Sequence, residues 1–519
     1  VGIRPQSFGR FIIINHPNGY STLYAHLNDF APELEQYVTA EQYRQQSWAL
    51  ELDIPRNRFP VTKGQFIAYS GNTGGSQGPH VHFEIFDTET TKRYNPLLFG
   101  MPLKDEVPPT LVKLAMYDRS LSVYQQVPKF FPVKNTDSGY VIPKIPVIKT
   151  SLNKISFAIQ AYDRVSGSNN ANGIYSGELI VDDQPQVKFV LDGIDYSETA
   201  YLNAQIDYRQ RYNGGAFVQH LSKMPGDNGA AYHVINGNGV IELNDTLVHT
   251  ITIDTRDPYN NISQLHFQVQ YSDSLAATAS ASVGRHEPEL LPEQDNHFKR
   301  SDFEADIPAG CLYDRTNIIY YRGGNSSGYA VTALHQLNDA SVPVHNDLTI
   351  RIKPDRKIPD EWNDKLVMLR SARGSSVRLV KREGDWLTAK FGDFGSFQVF
   401  ADLNPPTINE LGKGDTVNLS PVNRIVFTPT DNFGIKSFRA ELNGEWLRFT
   451  NDKSRNWIYI FDERCPYGTH HLKVTVEDIV GNTTTKEWWF KRGPYTPPKK
   501  KAVKKRSTSK KKTPVKKKR

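Results

Sequence analysis

Two histidines set one residue apart, His80 and His82, follow a glycine-rich loop in the run Gly71-Asn72-Thr73-Gly74-Gly75-Ser76-Gln77-Gly78-Pro79-His80-Val81-His82-Phe83-Glu84. The residues after the loop read as a strand, and on a strand i and i+2 side chains share a face. The two imidazoles therefore come close together, with Val81 turned away. Such a pair can put one ring on a metal ion and the other beside an attacking water. Metal-assisted peptide hydrolysis needs both, a Lewis acid for the scissile carbonyl and groups that move protons. An isolated His-x-His also arises by chance in surface and core strands, so the surroundings have to decide.

Upstream, Gly9-Arg10-Phe11-Ile12-Ile13-Ile14-Asn15-His16-Pro17-Asn18-Gly19-Tyr20-Ser21-Thr22-Leu23-Tyr24-Ala25-His26-Leu27 reads as a β-hairpin with its turn at Pro-Asn-Gly. The spacing predicts that Thr22–His26 runs back along Phe11–His16. Val61–Ser70 follows as a Lys-Gly turn and a further strand leading into the glycine loop. Between them, Pro32–Leu50 is the convincing helix candidate, with Leu34, Tyr37, Val38 and Trp48 among polar residues. It is expected to lie beside the site, either as a wall of the groove or as plain packing.

These ordered motifs resemble the lysostaphin-like (LytM-type) zinc metallopeptidases over residues 2–100, about a fifth of the 519-residue chain. The resemblance implies a zinc endopeptidase that hydrolyses peptide bonds of peptidoglycan. It implies His82 as a zinc ligand, and His80 and His26 as catalytic residues handling protons and oxyanion charge. His16 is expected to be structural and Glu84 to orient its neighbours. The family takes two further zinc ligands, a His and an Asp, from an H-x-x-x-D motif ahead of the hairpin. None of Val1–Arg10 is His or Asp. The domain is therefore expected to be truncated, with the remaining ligands and a signal peptide upstream of Val1. The 519-residue chain is then expected to hold no tight zinc and to be inactive. A non-catalytic LytM-type protein that binds the envelope or activates a hydrolase is the alternative, as is a β-sandwich scaffold with a vestigial first domain.

The rest of the chain reads as mainly β, with strand-like runs at Ile155–Ala161, Thr250–Thr255, Leu348–Ile352, Leu472–Glu477 and Trp488–Phe490. A short helix is expected near Trp362. Pro108-Pro109, Pro405-Pro406 and Pro497-Pro498 mark boundaries. An internal repeat pairs Asp163 and its following Gly173-Ile174 with Asp431 and Gly434-Ile435. It also pairs the strand ending at Asp254, before Asn260-Asn261, with the strand ending at Asp478, before Asn482. The expected order is the peptidase part (1–107), an immunoglobulin-like β-sandwich with insertions (108–273), a linker (274–300), a β-rich domain (301–404), a second immunoglobulin-like sandwich (405–492) and a disordered Lys-rich tail (493–519). Trp446, Trp457, Trp488 and Trp489 are either core residues or a glycan platform.

Residues 499–519 carry 13 Lys or Arg and no acid; taking these from the chain's 63 leaves 50 against 56 acidic residues, a body of about −6. The basicity is thus a property of the tail, which suits anionic envelope polymers. Lacking aromatics, the tail is not expected to recognise nucleic acid specifically. Hydrophobic residues make up 38% of the chain, enough for packed cores, but no run approaches the roughly 18 apolar residues of a membrane helix. Cys311 and Cys465 lie far apart in the sequence, and no disulfide is expected between them. The cysteine count says little about compartment; the family resemblance implies the cell envelope, periplasmic or secreted.

Overall fold

Apolar residues alternate with polar ones along most of the chain, and each alternating run becomes a strand with one buried face. The computed structural model describes residues 1–272 and 289–495. The Lys-rich segment 499–519 lies outside the described residues. Among those described, the fold is mainly β, built of packed sheets.

The first hundred residues form strands β1 (Gly2–Arg4), β2 (Gly9–Asn15), β3 (Tyr20–Leu27), β4 (Leu50–Glu51), β5 (His82–Asp87) and β6 (Arg93–Tyr94), with helix α1 (Pro32–Gln45). They pair in the order β6-β5-β3-β2-β1-β4, and Gly193–Ile194 extends the sheet beyond β6. The expected hairpin is present, with Ile13 opposite Leu23. Its register shifts between Arg10 and Ile12, so Ala25 and His26 on β3 oppose Phe11 alone. That is a β-bulge, and it re-aims the side chain at the bulge.

Helix α1 starts with Pro32 in its first turn and buries Leu34, Val38 and Gln42. The sequence predicts helix to Leu50, but the helix stops at Gln45. Gln46 is left-handed at φ 50° and closes the last turn. The Gln42 amide then donates to the Trp48 carbonyl at 2.7 Å, and Leu50 pairs with Ile3 in β4. Val61–Ser70 also departs from expectation. It turns at Lys63-Gly64 but forms no named strand, meeting the body through single bridges such as Phe30 to Ala68.

Residues 110–271 form an eight-stranded and a five-stranded sheet that close over one core, including Leu114, Phe157, Leu179 and Ile253. Residues 296–401 form two five-stranded sheets. Their core is continuous with Ala115, Tyr117, Tyr124, Val218 and Met224 of the preceding sandwich. The expected linker to residue 300 is corrected here, because Glu289–Leu290 and Asn296–Lys299 are already strands of this unit. Residues 273–288 lie outside the described residues. The short helix near Trp362 is a 3-10 turn, Asp360–Lys365.

The final sandwich pairs Gly468–Asp478 with Thr483–Arg492 in a five-stranded sheet facing a two-stranded one. Trp457 stacks on Phe438 and Trp488 on Phe427, as core residues would. Trp446 instead meets Tyr43 of α1 at 5.1 Å, and Trp489 is exposed. The sandwich folds back on the first unit, where Arg448 donates to Thr39 Oγ1 at 3.0 Å and Gln42 Oε1 at 2.8 Å. Cys311 and Cys465 are buried thiols in separate cores.

One buried histidine has a measurable consequence. His220 is fully buried beside Tyr117, and burial, then the Arg119 charge, pushes it down to about 3. Its folded value lies below its unfolded one of about 6.5, so the stability it allows is present above pH 6.5 and lost as the pH falls toward 3. Between pH 6.5 and 4.5 this costs about 2–3 kcal/mol. Chemical denaturation across that range should show a steeper acid loss in the native chain than in His220→Phe.

Candidate active site

β3, β5 and the loop between Gly71 and Pro79 bring His26, His80 and His82 together. The rings of His26 and His80 lie 4.9 Å apart, and those of His26 and His82 5.9 Å apart. His82 opens β5 opposite Ala25, whereas His80 lies just before the strand, bridged to Gly71. Both histidines were expected on one strand. The bridge places His80 by backbone contact to the loop instead.

His26 sits at the bulge with φ 58°, a conformation that a non-glycine residue adopts at some cost. The backbone is held there because its N–H donates to the Phe8 carbonyl at 2.8 Å. Its Nδ1 is 2.8 Å from the Thr73 carbonyl. A carbonyl only accepts, so Nδ1 carries the proton and Nε2 is left with its lone pair. Burial lowers the His26 pKa. The Thr73 hydrogen bond opposes this, while His80, His82 and Lys453 lower it further. His26 is therefore neutral at pH 7. The hydrogen-bond argument for the tautomer also holds for His80, whose Nδ1 is 2.8 Å from the Gly78 carbonyl, leaving Nε2 as the free nitrogen.

His82 is arranged the other way. Its Nε2 is 2.8 Å from Glu84 Oε1, so the carboxylate accepts from Nε2–H and Nδ1 keeps the lone pair. A carboxylate that fixes a histidine tautomer in this way is the usual outer partner of a metal ligand. Glu84 is half-buried, which alone would raise its pKa. Hydrogen bonds from His82, then Tyr196, then Arg93 outweigh burial and keep it low. His16 takes no part, since its ring bonds Thr22 Oγ1 at 2.9 Å on the hairpin.

Thr73 organises the loop. Its Oγ1 accepts from the Arg10 N–H at 2.9 Å and donates to the Leu27 carbonyl at 2.8 Å, while its own carbonyl holds His26. Beside it, Gly74 (φ 66°) lies against the backbone of Gly9 and Ser7. A methyl group there meets main-chain atoms that cannot move aside. Gly74→Ala should cost about 2–4 kcal/mol, read as a fall in Tm of the first unit.

Three contributors could not be read from motif spacing. Tyr196 donates its hydroxyl to Glu84 Oε1 at 2.6 Å, and the Arg93 guanidinium lies 3.8 Å from the centre of its ring. Lys453, from the last sandwich, donates to the Ser76 carbonyl at 2.6 Å and to Asn72 Oδ1 at 3.3 Å. Tyr196 and Lys453 come from elements far along the chain.

A catalytic zinc normally takes three protein ligands. Among the described residues, the groups of three metal-capable side chains within mutual reach are all-carboxylate and lie elsewhere. Among the described residues, then, the three histidines do not make up a three-ligand zinc site.

A Haemophilus influenzae protein described as an uncharacterized metalloprotease is 33% identical to this chain over 94 residues. The match covers 18% of this chain and spans 14% of that relative's length. Residues 289–402 match the model of the Zu5-like domain. Among solved structures, fibronectin(III)-like modules of Clostridium thermocellum CbhA are similar at 15% identity and TM-score 0.15, covering 29% of this chain and 86% of that one. The human desmocollin-1 ectodomain is similar at 10% identity and TM-score 0.16, covering 87% and 76%. At those scores the structural likenesses carry no argument. The likeness to a metalloprotease is confined to a short segment of the chain.

Proposed function

We propose that residues 2–100 belong to a lysostaphin-like (LytM-type) zinc endopeptidase domain that hydrolyses peptide bonds of peptidoglycan in the cell envelope. The observation that carries this reading is the convergence of three imidazoles with complementary free nitrogens. His82 offers Nδ1 and has Glu84 behind it. His26 and His80 each offer Nε2 beside it. The metal supplies Lewis acidity to the scissile carbonyl when bound. His80, exposed at the mouth, is suited to take and return a proton. His26, buried and neutral, is suited to hold charge developing on the carbonyl oxygen once it is protonated, or to act as the second base. The likeness to a metalloprotease supports the same class of chemistry. The 13 cationic residues of 499–519 are suited to hold the enzyme to anionic envelope polymers.

Because one of three zinc ligands is present, the 519-residue chain should purify with well under one zinc per chain and leave muropeptides uncut. A form of the protein with a full set of three zinc ligands should carry one zinc and cut them. Stoichiometric zinc in the 519-residue chain would overturn the assignment of a single ligand here. Neither zinc nor cleavage in such a form would overturn the enzyme reading in favour of a binding protein.

A further inference from the structure

The two sandwiches repeat a side-chain cluster that the histidine site does not use. Asp105, Asp163 and Asp257 each bring one carboxylate oxygen to within 4.8 Å of the others, and so do Asp402, Asp431 and Asp478. The flanking sequences match. Asp-x-x-Pro-Pro-Thr opens each set, at Asp105–Thr110 and Asp402–Thr407, and Asp-x-x-x-Asn closes each, at Asp257–Asn261 and Asp478–Asn482. The counterpart of Asp478 is therefore Asp257 and not Asp254, which lies within its strand. The bonding repeats as well. Asn261 Nδ2 donates to Asp257 Oδ2 at 2.7 Å and to the Asp105 carbonyl at 3.1 Å. Asn482 Nδ2 donates to Asp478 Oδ2 at 2.7 Å and to the Asp402 carbonyl at 3.0 Å.

Each set also leaves matching oxygens bare. Asp163 is 3% exposed, Asp105 9% and Asp402 0%. Asp105 Oδ2 and Asp163 Oδ1 in the first set are buried with no hydrogen-bond partner, as are Asp402 Oδ2 and Asp431 Oδ2 in the second. A buried carboxylate oxygen without a donor needs a cation or a proton.

We infer that each cluster is a calcium site, and that the two ions clamp the joints through which the chain enters the two sandwiches. The donors are all oxygen, which suits a hard cation rather than zinc or copper. Calcium bonds of 2.3–2.6 Å reach oxygens up to about 5 Å apart, as here, and calcium accepts irregular coordination completed by water. Magnesium demands a tighter octahedron and keeps its own waters. Asp105 lies in the connector before the strand at Thr110, and Asp402 directly follows the strand ending at Ala401. The other two carboxylates of each set belong to the sandwich being entered, so one ion ties connector to domain. Calcium modules outside cells work at dissociation constants of about 10⁻⁴–10⁻³ M.

The test is calcium titration of the EGTA-stripped 519-residue chain by calorimetry, with thermal melting and limited proteolysis alongside. Two calcium ions should bind per chain, raise Tm by several degrees, and slow cleavage at the connectors 101–109 and 402–406. Asp163→Asn and Asp431→Asn should each remove one ion, and the double variant both, while melting in EGTA shows that each variant is folded. Absence of calcium binding at 10 mM would overturn the inference, leaving shared protons as the partners of the bare oxygens. Two ions retained by the double variant would overturn the site assignment, and an equal response to magnesium the choice of cation. None of these outcomes depends on the histidine site.

Discussion

Replacing His80 by alanine in a form of the protein with a full set of zinc ligands should lower kcat for muropeptide cleavage by about 10²–10⁴-fold while leaving zinc content unchanged. His80 is held by the Gly78 carbonyl through Nδ1, and its ring lies 4.9 Å from that of His26. It is exposed, so removing the ring leaves no buried cavity and melting should be unaltered. A loss of zinc together with activity would make His80 a ligand rather than a proton carrier. Full activity without the ring would remove it from the chemistry.

The second large effect is at His26, where function and backbone strain meet. His26→Ala and His26→Gly should both lower kcat by about 10²–10⁴-fold, because both remove the ring that faces His80 and His82. Their stabilities should differ. At φ 58° glycine is at ease and alanine is not, so the glycine variant should be about 1 kcal/mol more stable than the alanine variant. Both lose the bond to Thr73, which links the bulge to the glycine loop. Denaturant titration of the two variants reads that difference. Equal stabilities would mean that the bulge relaxes when the ring is absent, and that the strained conformation belongs to the imidazole rather than to the sheet.

The hairpin was legible because its register follows from alternation between Phe11 and His26 and from the turn at Gly19, which is left-handed at φ 86°. The histidine set was legible because the ordered motifs carry a family resemblance. The bulge was not. Nothing in Tyr-Ala-His-Leu announces that Ala25 and His26 oppose a single residue, and that slip is what turns His26 toward His80 and His82. The helix end at Gln45 was also missed, because Gln46 is not a glycine and gives no stop signal in the sequence. Tyr196 and Lys453 could not be found from local pattern, since a contact made across the fold leaves no spacing to read. The shared core of residues 110–271 and 296–401 was hidden for the same reason: Tyr117 and Met224 look like ordinary core residues of their own sandwich. The aspartate repeat was half visible. Alternation led to Asp254 at the strand end, whereas the three carboxylates converge through Asp257 in the turn beyond it.

Zinc binding in the proposed site turns on His82, the imidazole backed by Glu84. Zinc content and muropeptide cleavage should be measured on a form of the protein with a full set of zinc ligands and on its His82→Ala variant, after dialysis against a weak chelator. One zinc and cleavage are expected in the first, and neither in the second, with the fold retained by circular dichroism. Zinc-dependent cleavage surviving in His82→Ala would contradict that role of His82.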